Sequence, residues 1–419
     1  VPKITYRQTE LKNGLKVVLS KNRNIPMVIF SVSFYTGAKD EPAGKKGLAH
    51  LLEHLMFTGV YGENYKTFDE VLNRIGGESN AYTTLDMTSY YISVPSGMLE
   101  YAMILDSKRL KNIDFSPENI DIQKKVVLEE KSQIYDNSPY GSVEFESSKR
   151  VFNGTPYEIP VIGTEDSIKG ITHEDIRGFF ERYYNSGNCV ITVCGDFDEN
   201  NIEKLLNDYY SIIPSGRRKR SEPYFITREL SKEKITIYDK VNLPAVFICF
   251  RMPGYGTIEY YASKYIAGML SSGDSSYLRK ELIQNKNLCY DIDSSGTGFE
   301  KAGIFCIDAY LNKNVSCEET EYEIIRNINR ISGGEFSGKD IEKIRNKIEL
   351  SYHTSLQTNN SVCDNLSFFS LFTESPERIN YEIENALRIK REDIIETAVN
   401  YINPEKMIIL NYLPEVNYA

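Results

Sequence analysis

Short apolar runs rich in β-branched and aromatic residues alternate along the chain with stretches whose apolar positions recur at helical spacing. Leu15–Leu19 and Met27–Tyr35 read as strands, the first entered through the turn pair Asn13-Gly14. Gly47–Thr58 has the helical pattern, and so has Thr67–Ile75, which Gly76-Gly77 stops. Asn80–Val94 returns to strand chemistry through Tyr82, Thr83, Thr84, Tyr90, Tyr91 and Ile92. Ser96–Leu110 and Ser116–Tyr135 are predicted helices, and Cys189–Val193 a further strand. Ser116 suits an N-cap and Pro117 a first helical position. Helices and strands interleave, yet hairpin-like strand pairs are present. The pattern therefore predicts an α+β unit, a mainly antiparallel sheet covered by helices.

Part of this pattern returns later in the chain. Asn24-Ile25-Pro26-Met27-Val28-Ile29 resembles Asn242-Leu243-Pro244-Ala245-Val246-Phe247, 218 positions on. Ile171–Ile176 resembles Ile389–Ile394, and Tyr183–Asn185 resembles Tyr401–Asn403, again 218 apart. Three matches in one register predict two homologous halves. Pro214–Pro223 is polar, basic and bracketed by prolines, which reads as an exposed linker. The predicted organisation is a half at 1–213, a linker at 214–224 and a second half at 225–419.

Composition narrows the function classes. The 419 residues carry a net charge of -10, which argues against a nucleic-acid groove. No run of about 18 or more apolar residues occurs, so no membrane span is predicted. Seven cysteines without a CxxC pair give no disulfide framework and read as small core residues. The chain begins at Val1; a cleaved signal peptide would imply a periplasmic protein, and otherwise the cytoplasm or an organelle matrix is expected.

Two of only four histidines fall in Gly47-Leu48-Ala49-His50-Leu51-Leu52-Glu53-His54. On a helix, residues four apart share a face, so His50 and His54 can reach one ion. Glu53 lies on nearly the same face and can stand beside that ion without binding it. This is the H-x-x-E-H order, and its donors suit zinc, one Zn2+ per chain. Burying two imidazoles and a carboxylate among leucines would otherwise be costly. A third ligand is expected from Val126-Val127-Leu128-Glu129-Glu130. Glu130 shares a helical stripe with Val127 and Ile134, whereas Glu129 points about 100° away. The pattern favours Glu130.

Together these residues resemble the pitrilysin family of inverzincin metallopeptidases. The likeness runs from Gly37-Ala38-Lys39-Asp40-Glu41 through Gly59, and through Gly76-Gly77-Glu78-Ser79-Asn80-Ala81-Tyr82-Thr83 with Asp86, Thr88 and Tyr90. It continues in Val126–Glu130, Pro156-Tyr157 and Cys194-Gly195-Asp196. The resemblance implies zinc held by His50, His54 and Glu130, with Glu53 as the base that takes a proton from the attacking water. Gln123 stands where many relatives have a further glutamate, which leaves it a supporting role behind the ligands. The family also uses an arginine and a tyrosine of the second half. Tyr290 is kept, as a catalytic residue that could hydrogen-bond the oxyanion, while Ile283 occupies the arginine position. In the family the strand matching Asn80, Ala81, Tyr82 and Thr83 lies at a sheet edge and binds substrate; the alternative is a strand covered by another. The implied function is an endopeptidase acting on peptides or unfolded segments, as a homodimer or a heterodimer with a related subunit. The alternative is a non-catalytic or partner-dependent subunit, like the core proteins of a respiratory assembly.

Overall fold

The computed structural model describes residues 3–59, 67–218 and 229–415, so the predicted linker lies partly outside the described residues. The chain forms two compact units, each built on one sheet.

The first sheet contains β1 (Arg7–Glu10), β2 (Lys16–Lys21), β3 (Met27–Phe34), β4 (Glu78–Thr83), β5 (Thr88–Pro95) and β6 (Cys189–Gly195), in the order β1-β2-β6-β3-β5-β4. The second contains β7 (Glu233–Asp239), β8 (Ala245–Met252), β9 (Cys289–Gly298), β10 (Gly303–Leu311) and β11 (Ile408–Pro414), in the order β7-β11-β8-β10-β9. Each sheet is antiparallel apart from one parallel pair, β2 with β6 and β7 with β11. The order β2-β6-β3-β5-β4 repeats as β7-β11-β8-β10-β9, and β3 lies 218 positions before β8. The predicted α+β class and the two homologous halves are therefore both present.

The helices are α1 (Leu48–Leu55), α2 (Phe68–Arg74), α3 (Leu99–Lys111), α4 (Pro117–Lys131), α5 (Val143–Val151), α6 (Glu165–Gly170) and α7 (His173–Tyr183), then α8 (Ile202–Tyr210), α9 (Ile258–Ser271), α10 (Cys317–Ser332), α11 (Gly338–Ser355), α12 (Asn359–Phe372), α13 (Glu382–Leu387) and α14 (Arg391–Asn400). In the first unit α1 and α2 lie on β4 and α3 on β5, while α12 covers β3 and β6. All residues of β6 are buried, with α12 packed on one of its faces. In the second unit α9 and α10 cover the sheet and α5 packs on β8 and β11. The Tyr140 ring stacks there against Phe247, Tyr310 and Tyr412.

The compact units are interleaved along the chain, unlike the consecutive halves expected at 1–213 and 225–419. The first comprises 1–131, 159–223 and 353–381, and the second 132–158, 224–352 and 382–419. The physical reason is helix placement. Each sheet needs an apolar or hydroxyl-lined cover on its second face, and that cover, α12 or α5, comes from the other half of the sequence.

Ser116 Oγ accepts from Asn119 N at 3.3 Å, which starts α4 where the cap residue predicts. The helix expected to run to Tyr135 changes at Ser132 into a wider π turn, Ser132–Asp136. All seven cysteines are free thiols, six buried and Cys306 half-buried, as small core residues would be. No helix among the described residues is long and apolar enough to cross a membrane.

Candidate metal centre

Helix α1 carries most of the cluster, and its start is specially built. Gly47 sits at φ +93, where a Cβ would meet Ile162 O at 2.7 Å, so only glycine fits. Having no side chain, it cannot cap the helix. Glu41 does so instead: its Oε1 accepts from Ala49 N at 2.8 Å and from Gly47 N at 3.1 Å. Burial pushes the Glu41 carboxyl up to about 8, against the pull of Lys46 and of these N–H groups. Glu41 lies in the segment that carries the family resemblance, yet a cap seven residues ahead of the first residue of its helix has no short-range sequence signature.

One turn into α1, His50 and His54 present their rings to α4. Glu130 Oε2 lies 3.8 Å from His50 Nε2 and 3.3 Å from His54 Nε2. One donor atom from each of the three falls within 4.8 Å of the others, the spacing of ligands around one ion. Two imidazoles and one carboxylate fit zinc by the chemistry of the donor set. Glu129 is exposed and outside this cluster, as its position on the helix predicts. Gln123 is half-buried two turns earlier on α4, and among the described residues it forms no hydrogen bond with the three.

Burial first, and the neighbouring His54 second, hold the His50 pKa down to about 4 against the pull of Glu130. The Glu130 carboxyl is shifted down, chiefly by its hydrogen bond with His54. In the metal-free protein His50 is thus neutral at pH 7, the form a metal needs. The folded value lies below the unfolded one, so the neutral ring contributes stability above about 6.5 that is lost as pH falls toward 4. NMR titration of the metal-free protein is expected to give a His50 midpoint well below 6.5. A midpoint at or above that value would contradict the burial account.

Glu53 lies on the same face, outside the three-residue cluster. Its Oε2 accepts from Thr83 Oγ1 at 2.5 Å. Burial raises its carboxyl pKa, while the Thr83 bond pulls it down. Thr83 ends β4, which among the described residues pairs with β5 alone and is the edge of its sheet. Asn80, Ala81, Tyr82 and Thr83 therefore lie beside α1 on an edge that no other described strand covers. Ala81 N donates to Asn80 Oδ1 at 2.8 Å instead of into the ladder, so the main-chain groups of Ala81, like those of Ser79 and Thr83, face outward.

Tyr290 belongs to the second unit, near the start of β9, where it is 49% exposed with its ring on Tyr310. Ile283 packs against the core of that unit. Arg279, one turn earlier, binds Asp291 at 2.8 Å and the Ser271 carbonyl. The link between Thr83 and Glu53 was not legible in the sequence, because it joins a strand end to a helix through tertiary packing.

Twin sheet units, with H-x-x-E-H on one helix and a glutamate brought to it from another, define the pitrilysin type of fold. Residues 16–165 match the family model described as Insulinase (Peptidase family M16), and residues 170–348 the one described as Peptidase M16 inactive domain. The chain belongs to the M16 peptidase family. It is 26% identical over 400 residues to the zinc protease PqqE of Helicobacter pylori, covering 94% of this chain and 90% of that one. It is 25% identical to an uncharacterized zinc protease, YmxG, of Bacillus subtilis, covering 84% of each. A crystal structure of a Helicobacter pylori protease shares the fold with a TM-score of 0.89 at 23% identity, over 98% of this chain and 100% of that one. Pitrilysin shares it with a TM-score of 0.79 at 16% identity, over 98% of this chain but only 45% of its own.

Proposed function

We propose that the chain is a zinc-dependent endopeptidase acting on peptides or unfolded polypeptide segments. The observation that carries this reading is the convergence of His50, His54 and Glu130 beside a separate carboxylate, Glu53, that is tied to an open strand edge. Relatives named as zinc proteases support it.

His50, His54 and Glu130 would hold the metal. When bound, zinc supplies Lewis-acid polarisation of a peptide carbonyl and of a water molecule. Glu53 accepts the proton of the attacking water and delivers it to the leaving amine. Thr83 donates to one Glu53 oxygen and leaves the other free to accept. The raised proton affinity that burial gives Glu53 suits a base that must hold a proton briefly. The outward groups of Ala81 and Thr83 would pair with an extended substrate, whatever its side chains. A role for Tyr290 as hydrogen-bond donor to the oxyanion, and for Gln123 behind the ligands, rests on the family resemblance.

Ile283, where the family has arginine, favours a second reading, in which activity depends on a paired chain. Pitrilysin is about twice the length of this chain, which fits pairing with an identical or related subunit. The test is cleavage of an unstructured peptide by the purified chain, with sedimentation to give its oligomeric state. Cleavage stopped by a chelator and restored by zinc is expected. A zinc-loaded chain that cleaves nothing until a related subunit is added would select the second reading.

A further inference from the structure

The sheet face turned away from the metal cluster carries a cleft beside the open edge. Ser31 on β3, Tyr82 on β4, Ser89 and Tyr91 on β5, and Cys363 and Asp364 on α12 line a space of about 220 Å³. All its lining groups are neutral except Asp364. Asp364 is exposed and accepts a hydrogen bond from the Tyr82 hydroxyl. Among the described residues it has no cationic partner.

Strand geometry says what such a cleft would meet. Thr83 bonds Glu53 on α1, and Ser79 bonds Asp69 on α2, so both side chains point to the metal face. The period of two puts Asn80 and Tyr82 on the opposite face, where Tyr82 reaches α12. A peptide paired with the β4 edge continues the pleat, and every second one of its side chains lies on that face. Such a side chain stands about 5 Å from the Tyr82 Cβ. Lysine and arginine are long enough to run along the tyrosine ring and bring their cation to the carboxylate at its far end. The net charge of -10 favours the same class of ligand.

We propose that Tyr82 and Asp364 form a subsite for a lysine or arginine side chain of the bound peptide, on the sheet face opposite the metal cluster. The proposal rests on β4 being the substrate edge of a peptidase. The competing role is structural, a Tyr82–Asp364 bond that only fastens α12 to the edge strand. A structural role would affect every substrate alike, whereas a subsite discriminates among them.

The test uses the zinc-loaded full chain and unstructured peptides that differ at one position, carrying lysine, arginine, glutamine or leucine there. That position is moved along the peptide in turn. At one position the basic peptides are expected to be cleaved with a kcat/KM about tenfold above the glutamine peptide, a difference of about 1.4 kcal/mol. Asp364→Asn keeps an acceptor for Tyr82 and is expected to bring the lysine peptide down to the level of the glutamine peptide. Fluorescence anisotropy on Glu53→Gln reads the same discrimination as binding, without turnover. Equal cleavage and equal binding of all peptides by the wild-type site, or a uniform loss in Asp364→Asn, overturns the subsite. Absence of cleavage with lysine-selective binding would instead overturn the peptidase reading and leave the subsite standing.

Discussion

Glu53→Gln is expected to lose about 10³-fold in kcat/KM while retaining about one zinc per chain. The amide keeps the shape of the side chain and can still accept from Thr83, but it cannot take a proton. The metal is untouched because Glu53 lies outside the cluster of His50, His54 and Glu130. Glu130→Ala should behave differently, losing zinc and activity together, and Glu129→Ala should lose neither. Metal content by atomic emission, beside a peptide-cleavage assay, separates the four proteins. Wild-type turnover by Glu53→Gln would remove Glu53 as the base. Zinc loss from Glu129→Ala with retention in Glu130→Ala would reassign the third ligand.

Proline at Ala81 and at Tyr82 should act through different states. The Ala81 N–H leaves the ladder and meets Asn80 Oδ1, so a proline there costs the sheet little. It removes the donor that an added strand would use and places a ring on the open edge. A 10- to 100-fold weaker peptide affinity is expected, about 1–3 kcal/mol, with zinc and melting temperature near wild type. The Tyr82 N–H faces β5, so Tyr82→Pro removes a ladder bond and should destabilise the protein by about 1–3 kcal/mol. Anisotropy with a labelled peptide and thermal unfolding read the two effects. If Ala81→Pro binds and cleaves peptide as the wild type does, strand addition at β4 is wrong.

The sequence was most legible where chemistry is local. His50, Glu53 and His54 lie within one turn and a half of helix, so periodicity alone puts them on one face. Glu130 required a second helix, but its stripe with Val127 pointed it inward, and Val127 is fully buried. The repeat foretold which strands correspond, because β3 and β8 begin with matching residues. Contacts between distant segments were not legible. Nothing near Glu41 marks it as the cap of α1, and nothing near Asp364 places it under Tyr82. The exchange of α5 and α12 was equally hidden. Periodicity can state which face of a helix is apolar but not which sheet it will cover.

That exchange constrains how the chain can be made. The first sheet buries Ser31 and Thr192 under Ser367 of α12, in a chain of hydroxyl contacts at 2.9 and 2.8 Å. While the ribosome has delivered only the first half, this face lacks its cover, and its hydroxyls and apolar neighbours stand open to water. The first sheet can finish closing only after residues 353–381 have emerged, near the end of synthesis. A nascent or truncated chain ending near residue 213 would carry every proposed zinc ligand, on α1 and α4, beside a sheet with one bare face, a species prone to association, and so a target for chaperones.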